Sequence, residues 1–220
     1  MNAPDRVTNG ISVVTTTWNE RENIRELVRR VRAALSEVPH EVIVVDDSSD
    51  DGTIEIAKTV ADVAVSKLRE GQSKGLLYGM RMARFSTIVT IDADLENDPA
   101  LIPLLVRKLA ECDLAVASRT VLPRFSERLA SKIFGKRIGV SDFFSNFRVY
   151  RKIVVEGLCL SSGETFGGEL LVRAKKNGFS LCELVYEPPP RRAKPRIGGT
   201  LRANIRITYA LLKCMIIYAL

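Results

Sequence analysis

A buried strand ends in a cluster of acids in the stretch IVTIDADLENDP, which runs from Ile88 to Pro99. Its first residues are apolar or β-branched, as in a strand that is covered on both faces. Four acidic side chains then follow within seven residues: Asp92, Asp94, Glu96 and Asp98. Charges of one sign repel one another unless a positive charge lies among them. The stretch therefore predicts a buried strand whose acidic end either binds a cation or forms a solvated turn.

Similar apolar strands alternate with amphipathic helices along the first half of the chain. Strands are predicted at ISVVTTT (11–17), EVIVVDD (41–47), DVAVSKL (62–68), STIVTID (86–92) and DLAVASR (113–119). A helix is predicted after the first strand, with one face formed by Ile24, Leu27, Val28, Val31 and Leu35. A short helix follows the turn SSDDGT and ends at about Val60, and two further helices are predicted over 73–84 and 99–110. This alternation predicts an α/β fold with a mainly parallel, Rossmann-like sheet flanked by helices.

The pattern changes after Arg119. A helix is expected over 124–139, either as an ordinary solvated helix or, slightly favoured, as a membrane-surface helix, because cations and aromatic residues are mixed along it. A further helix near 167–178, a strand at 180–187 and a loop rich in Pro and Arg at 188–199 follow.

The C-terminal segment is apolar but is interrupted by Lys213, and it is shorter than the ~20 residues that a membrane-spanning helix needs. We expect an amphipathic helix over about 200–220 that packs on the core, lies at a membrane surface or mediates self-association. No internal repeat or linker divides the chain, so residues 1–220 are predicted to form a single domain.

The charge balance predicts an anionic partner. Thirty-three Lys and Arg residues stand against 26 Asp and Glu residues, a net charge of +7. Aromatic residues are only 6% of the chain, and no RNA-binding aromatic motif or zinc finger is present, so nucleic acid is not the expected partner. The four cysteines are scattered without a C-x-x-C pair, and the opening MNAPDRVTNG is polar; we expect reduced cysteines and a cytosolic setting.

Polar clusters follow four of the predicted strands. They are TTTWNE (15–20), DDSSDDGT (46–53), DADLEN (92–97) and SR (118–119). In open parallel sheets, ligands bind beyond the carboxyl ends of the strands, so these clusters predict one shared site. Paired carboxylates there suit Mg²⁺ or Mn²⁺, although an Asp-x-Asp triplet alone also occurs in solvated turns. Asp98, followed by Pro99, is instead typical of a helix N-cap.

The ordered set of motifs resembles one family. The segments are SVVTTTWNERENI, EVIVVDDSSDDGT, KGLLYGM, TIDADLENDP, AVASR, SDFFSNFRVYRK and ELLVRAKKNGFSLCEL, between Ile11 and Gly199. In this order they resemble the family 2 glycosyltransferases called dolichyl-phosphate mannose synthases, and polyprenyl-phosphate glycosyltransferases more broadly. The resemblance implies a GT-A fold, a nucleotide-sugar donor, a divalent metal and a lipid-phosphate acceptor at the cytoplasmic membrane surface.

The resemblance also implies roles for particular residues. Asp92 and Asp94 match the metal ligands, and Glu96 stands at a metal-site position where relatives usually have Gln. The nucleotide-contacting positions are Thr17, Trp18, Glu20, Asp46, Asp47, Asp92 and Ala93, with Asp47 matching an aspartate that reads the edge of the base. Asp94, Arg119, Arg148, Arg191 and Arg192 are the implied catalytic set, in which the arginines bind phosphate and Arg191 or Arg192 supplies a loop arginine.

Some positions depart from the family pattern. Relatives carry Ser-Gly or Gly-Ser where this chain has Ser145-Asn146, and Phe144 replaces a usual Thr. Glu169 matches an acidic position near the sugar or acceptor, but a Glu at a helix N-terminus is also favoured by the helix dipole alone.

The expected reaction is inverting transfer of a sugar to dolichyl or another polyprenyl phosphate, and the favoured donor is GDP-mannose. The protein is expected to bind the membrane peripherally, with or without a membrane subunit. UDP-glucose and other UDP-sugars are alternative donors. A non-catalytic nucleotide-binding membrane-surface module is a second hypothesis. A haloacid-dehalogenase-like phosphatase fits less well, because its Asp-x-Asp lies near the chain start and is followed by Thr or Val, whereas here Leu95 and Glu96 follow.

Overall fold

The computed structural model describes residues 9–122, 125–157, 167–188 and Tyr209. The predicted phosphate-binding residues Arg191 and Arg192 lie outside these ranges. Of the helix predicted over 200–220, only Tyr209 is described, as an exposed helical residue.

The described residues form seven strands and seven helices. The strands are β1 (Ile11–Thr17), β2 (His40–Asp46), β3 (Val63–Ser66), β4 (Thr87–Thr90), β5 (Leu114–Arg119), β6 (Arg148–Arg151) and β7 (Leu181–Tyr186). The helices are α1 (Ile24–Ala34), α2 (Thr53–Val60), α3 (Gln72–Met82), α4 (Ile102–Arg107), α5 (Phe125–Ile138), α6 (Lys152–Glu156) and α7 (Gly168–Lys176). Short 3₁₀ turns, Pro99–Leu101 and Lys108–Ala110, flank α4.

All seven strands join one sheet in the order β3-β2-β1-β4-β6-β5-β7. Strand β6 runs antiparallel to both of its neighbours, β4 and β5, and the other neighbouring pairs are parallel. The predicted mainly parallel sheet is therefore confirmed. The sequence did not predict β6, because its four residues become a strand only by pairing on both sides.

Helices cover both faces of this sheet. The face that packs against α1, α2 and α4 is built around the predicted apolar stripe of α1, whose members Ile24, Leu27, Val28, Val31 and Leu35 are all buried. Helices α3, α5, α6 and α7 cover the other face. Both faces are apolar because burial of a strand on two sides leaves no polar face to present to water.

The predicted N-cap at Asp98 is confirmed. Its Oδ1 accepts a hydrogen bond from the backbone N–H of Ala100 at 3.0 Å, and Pro99 occupies the first position of the 3₁₀ turn that leads into α4. The described residues contain no helix with both the length and the apolar character needed to cross a membrane.

The expectation of reduced cysteines is wrong for one pair. Cys112 and Cys182, 70 residues apart in the sequence, form a disulfide with their Cα atoms 5.9 Å apart. Strand pairing explains the contact, because β5 and β7 align with Ala115 opposite Cys182. A motif search for closely spaced cysteines cannot detect a pair that is brought together by strand register.

Candidate active site

The sheet topology brings the predicted polar clusters to one edge. Strands β2, β1 and β4 are neighbours, so the loops after these three parallel strands lie side by side. Strand β6 is antiparallel and therefore begins where β4 and β5 end. The loop of residues 141–147, which precedes β6, consequently joins the same edge.

Side-chain hydrogen bonds tie the first two loops together. The hydroxyl of Thr17 donates to Asp46 at 2.9 Å, and the backbone N–H of Asn19 donates to the hydroxyl of Ser49 at 2.9 Å. An open surface cavity of about 500 Å³ lies between these loops, lined by Asn19, Arg21, Glu22, Asp50 and Asp51.

The two aspartates predicted to contact nucleotide are held by the protein itself. Asp46 is fully buried and accepts from Thr17 and Ser49. Asp47 forms an ion pair with Lys67 at 2.7 Å and accepts from the backbone N–H of Gly71 at 3.1 Å. Both carboxylates thus organise the loops around them.

The other predicted nucleotide contacts differ in exposure. Trp18 is 42% exposed, and the guanidinium of Arg69 lies 3.6 Å from its ring centroid, within the range of a cation–π contact. Glu20 is buried and accepts from Asn23 at 2.8 Å. Ala93 is buried in the core. Among these residues, Trp18 therefore offers the accessible flat surface.

Asp92 is a partly buried carboxylate surrounded by amides. It accepts from Gln72 at 2.6 Å and from Asn146 at 3.4 Å, both on Oδ1, while Asn97 lies 3.5 Å from Oδ2. Burial, and after it the negative charge of Asp94, raises the pKa of Asp92 to about 7, although the amide hydrogen bonds lower it. Its ionised form is therefore disfavoured unless a cation is nearby.

The acidic pair fits a divalent cation. Asp94 is exposed and lies close enough to Asp92 to shift the pKa of that carboxyl. The side-chain oxygen Oδ1 of Asn146 is buried beside the same carboxylate and has no hydrogen-bond partner within the described part of the chain. Hard oxygen donors and unneutralised carboxylates are the ligand chemistry that Mg²⁺ and Mn²⁺ prefer.

Glu96 is the predicted third residue of the metal site. Within the described ranges, no three His, Cys, Asp or Glu side chains converge so that they could hold a metal ion. A tight turn separates Glu96 from the pair: Leu95 has a φ of 62°, and the backbone N–H of Glu96 donates to Asp94 at 3.0 Å. A role for Glu96 beside Asp92 and Asp94 in the metal site stays a prediction.

Arg119 is fixed by a partner that sequence reasoning missed. Its Nε and Nη2 donate to Asp142 at 2.6 and 3.2 Å, and Glu127 lies 3.9 Å from Nη2. Burial lowers the pKa of Arg119, but the hydrogen bond and charge of Asp142 outweigh it and raise the pKa above its usual range. Arg119 stays charged, and its Nη1 has no hydrogen-bond partner among the described residues.

Arg148 lies in the protein interior. It is fully buried, and each of its three side-chain nitrogens donates to a backbone carbonyl: Ser145 at 2.6 Å, Gly167 at 2.8 Å and Phe143 at 3.3 Å. These bonds hold the loop of residues 141–147 against the start of α7. Arg148 organises this loop, and the structure does not place it with the exposed site residues.

Glu169 is also buried. It forms an ion pair with Arg173 at 2.7 Å, one helical turn further along α7. The structure places it on the face of α7 that packs against the protein.

Three residues at the site edge were not predicted as site residues from the sequence. Tyr186, at the end of β7, donates to Asn97 at 2.7 Å, and the negative charges of Asp92 and Asp94 contribute to its raised pKa after the larger effect of burial. Gln72 and Asn146 reach Asp92 from α3 and from the loop before β6. Of these, only Asn146 carried a signal, as a departure from the family pattern.

Solved structures with the same architecture define the class of fold. The chain superposes on glucosyl-3-phosphoglycerate synthase from Mycobacterium tuberculosis in complex with phosphoglyceric acid, with a TM-score of 0.78 and 20% identity over 96% of this chain and 81% of that one. The same enzyme in complex with Mn²⁺, uridine diphosphate and phosphoglyceric acid gives a TM-score of 0.77. This likeness shows the fold, and the predicted GT-A fold is confirmed.

The family follows from the sequence match. Residues 12–156 match the family model of glycosyl transferase family 2, and the chain belongs to that family. Two similar proteins are the dolichol-phosphate mannosyltransferase of Pyrococcus furiosus, 32% identical over 92% of this chain, and the undecaprenyl-phosphate 4-deoxy-4-formamido-L-arabinose transferase of Aeromonas hydrophila, 32% identical over 93%. The chain spans 64% and 67% of the lengths of these relatives.

Proposed function

We propose that this chain transfers a sugar from a nucleotide-sugar to a polyprenyl phosphate, with inversion at the anomeric carbon. The carrying observation is the Asp92 and Asp94 pair at the carboxyl edge of the sheet, beside the joined loops after β1 and β2. Mannose from GDP-mannose, passed to dolichyl or another polyprenyl phosphate, is the favoured form of the reaction. The 32% identity to a dolichol-phosphate mannosyltransferase supports it.

Asp92 and Asp94 are the proposed protein ligands of Mg²⁺ or Mn²⁺. Two carboxylates are sufficient, because Mg²⁺ commonly takes its other ligands from water and substrate phosphates. When bound by these two carboxylates, such an ion would offset the negative charge that develops on the leaving diphosphate.

Other residues of the chain bind and orient the substrates. Thr17, Trp18, Glu20, Asp46, Asp47 and Ala93 form or support the nucleotide side of the site. Arg119, held in one orientation by Asp142, directs Nη1 to phosphate, and Arg191 or Arg192 is a further phosphate-binding residue. Arg148 contributes through the loop that it holds.

The acceptor needs no general base from the protein. A phosphate monoester has a second pKa of about 6, so its attacking oxygen is already ionised at neutral pH. The difficulty is the approach of an anionic acceptor to an anionic donor. Arg119 reduces this repulsion because its guanidinium remains charged.

Transfer from a UDP-sugar to a polyprenyl phosphate is the second candidate. The observation in its favour is the equal identity, 32% over 93% of the chain, to an undecaprenyl-phosphate 4-deoxy-4-formamido-L-arabinose transferase. The site residues described above would serve either donor, so the nucleotide and the sugar must be found by experiment.

We propose that the reaction takes place at the cytoplasmic face of a membrane, with peripheral binding or a membrane subunit as the means of attachment. The net charge of +7 favours an anionic surface. Helix α5 adds exposed Phe125, Arg128, Lys132 and Arg137 on the outside of the protein.

The test is a donor screen. Binding of GDP- and UDP-sugars is measured by calorimetry with and without Mn²⁺, and transfer to polyprenyl phosphate is then assayed. We expect metal-dependent binding and transfer that Asp92→Ala abolishes and the surface variant Glu111→Ala retains. Wild-type transfer by Asp92→Ala contradicts the site assignment, and binding without transfer to any lipid phosphate favours a non-catalytic module.

A further inference from the structure

Two amide side chains from separate parts of the fold meet on one oxygen of Asp92. Gln72 is the first residue of α3, and its Nε2 lies 2.6 Å from Oδ1 of Asp92. Asn146 belongs to the loop before β6, and its Nδ2 lies 3.4 Å from the same oxygen. Oδ2 has one long contact, to Asn97 at 3.5 Å. The two oxygens of this carboxylate are therefore in unequal surroundings.

The backbone at or next to both amides is held by hydrogen bonds. Asn146 is 6% exposed, and its backbone carbonyl accepts from the hydroxyl of Thr90 at 2.6 Å. Next to Gln72, the hydroxyl of Ser73 accepts from the backbone N–H of Gly167 at 3.1 Å. A backbone held in this way limits the movement of Gln72 and Asn146, and their amide donors in turn limit rotation of the carboxylate that they contact.

We propose that Gln72 and Asn146 are positioning residues that hold Oδ1 of Asp92 and thereby direct Oδ2 to the divalent cation of the active site. The inference rests on the proposed function, because it presupposes that Asp92 is a metal ligand. Partners that orient a ligating carboxylate raise metal affinity, since the free protein then has fewer arrangements to lose on binding.

The test measures Mn²⁺ binding directly. Mn²⁺ is titrated into Gln72→Leu, Asn146→Ala and wild-type protein in the presence of uridine or guanosine diphosphate and followed by electron paramagnetic resonance. We expect each variant to bind Mn²⁺ about 10-fold or more weakly. The matched control is Lys74→Ala on the same helix, whose exposed side chain pairs with Glu70; it should bind Mn²⁺ as the wild type does.

Two further measurements separate positioning from damage to the fold. The thermal unfolding midpoint in EDTA shows whether each variant is folded, and transfer measured at rising Mn²⁺ shows whether excess metal restores the rate. Restoration by excess Mn²⁺ is expected from a positioning defect and not from unfolding. If one variant does not fold, the other decides.

The outcomes also separate this inference from the proposed function. Wild-type Mn²⁺ affinity in a folded Gln72→Leu or Asn146→Ala variant overturns the positioning role, provided that Asp92→Asn has lost Mn²⁺ binding. If Asp92→Asn binds Mn²⁺ as tightly as the wild type, the metal site of the proposed function is itself wrong.

Discussion

Asp142 accepts two hydrogen bonds from the guanidinium of Arg119, at 2.6 Å from Nε and 3.2 Å from Nη2. The side chain of Asp142 is 1% exposed and that of Arg119 is 18% exposed, so the pair is largely removed from water. This pair orients the guanidinium of Arg119 and keeps it charged. The predictions below follow from this pair and from three other contacts near the loop before β6.

Removal of Asp142 should destabilise the protein strongly. Asp142→Ala leaves Arg119 charged and poorly solvated, and breaking a buried pair typically lowers the free energy of unfolding by about 3 kcal/mol or more. Urea denaturation measures the change. The exposed pair of Lys108 and Glu111 supplies the control, since Glu111→Ala should change stability by only about 0.5 kcal/mol. Equal effects of the two substitutions would refute the structural role given to Asp142.

Replacement of Arg148 should weaken the fold before it affects chemistry. Arg148→Met removes the donors to three buried carbonyls, and each buried group left without a partner costs about 1–3 kcal/mol. Arg148→Lys should rescue little, because one ammonium cannot reproduce the planar fork. Unfolding midpoints and transfer rates are compared. A variant with wild-type stability but no transfer would instead favour direct phosphate binding by Arg148.

Gly167 and Asn146 should be energetically coupled. Gly167 has a φ of 72°, and a Cβ added there would lie 2.3 Å from Oδ1 of Asn146. Gly167→Ala should therefore lower the free energy of unfolding by about 1–2 kcal/mol, because alanine disfavours the left-handed backbone. The clash with Asn146 should lower it further. In Gly167→Ala combined with Asn146→Ala, the loss from the clash should become smaller, with the guanidinium of Arg148 still 3.1 Å from the added Cβ. Urea denaturation of the wild type, the two single variants and the double variant forms a double-mutant cycle that measures the coupling energy. Strictly additive effects would contradict the coupling.

Glu183 should contribute stability that is lost in acid. Burial raises its pKa, but hydrogen bonds from the backbone and hydroxyl of Ser141 outweigh this and lower it below the usual value. A lowered folded-state pKa stabilises the protein above the unfolded-state pKa of about 4.3, and this contribution disappears as pH falls through the folded-state pKa.

The corresponding variant is Glu183→Gln, compared with the wild type by urea denaturation from pH 7 to pH 3. The variant should be less stable at pH 7, and the difference should shrink below about pH 4.3. If the difference in stability between the two proteins is the same at every pH, the charge of Glu183 does not contribute to stability.

Short-range patterns in the sequence were sufficient for much of the fold. Strands β1 to β5 contain apolar runs, and the stripe of α1 has helical spacing; both patterns report burial through neighbours in the sequence. The cap at Asp98 is equally local. The Asp92 and Asp94 pair was predicted for the same reason, because acids at the end of a buried strand need only a few residues to be recognised.

Contacts between distant residues were decided by packing alone. The Cys112–Cys182 disulfide depends on the register of β5 and β7, and the burial of Arg148 depends on where α7 begins. The amides of Gln72 and Asn146 reach Asp92 only because α3 and the loop before β6 meet at that edge of the sheet. Sequence periodicity describes which residues a segment buries; which partners they find is set by long-range pairing that no single segment contains.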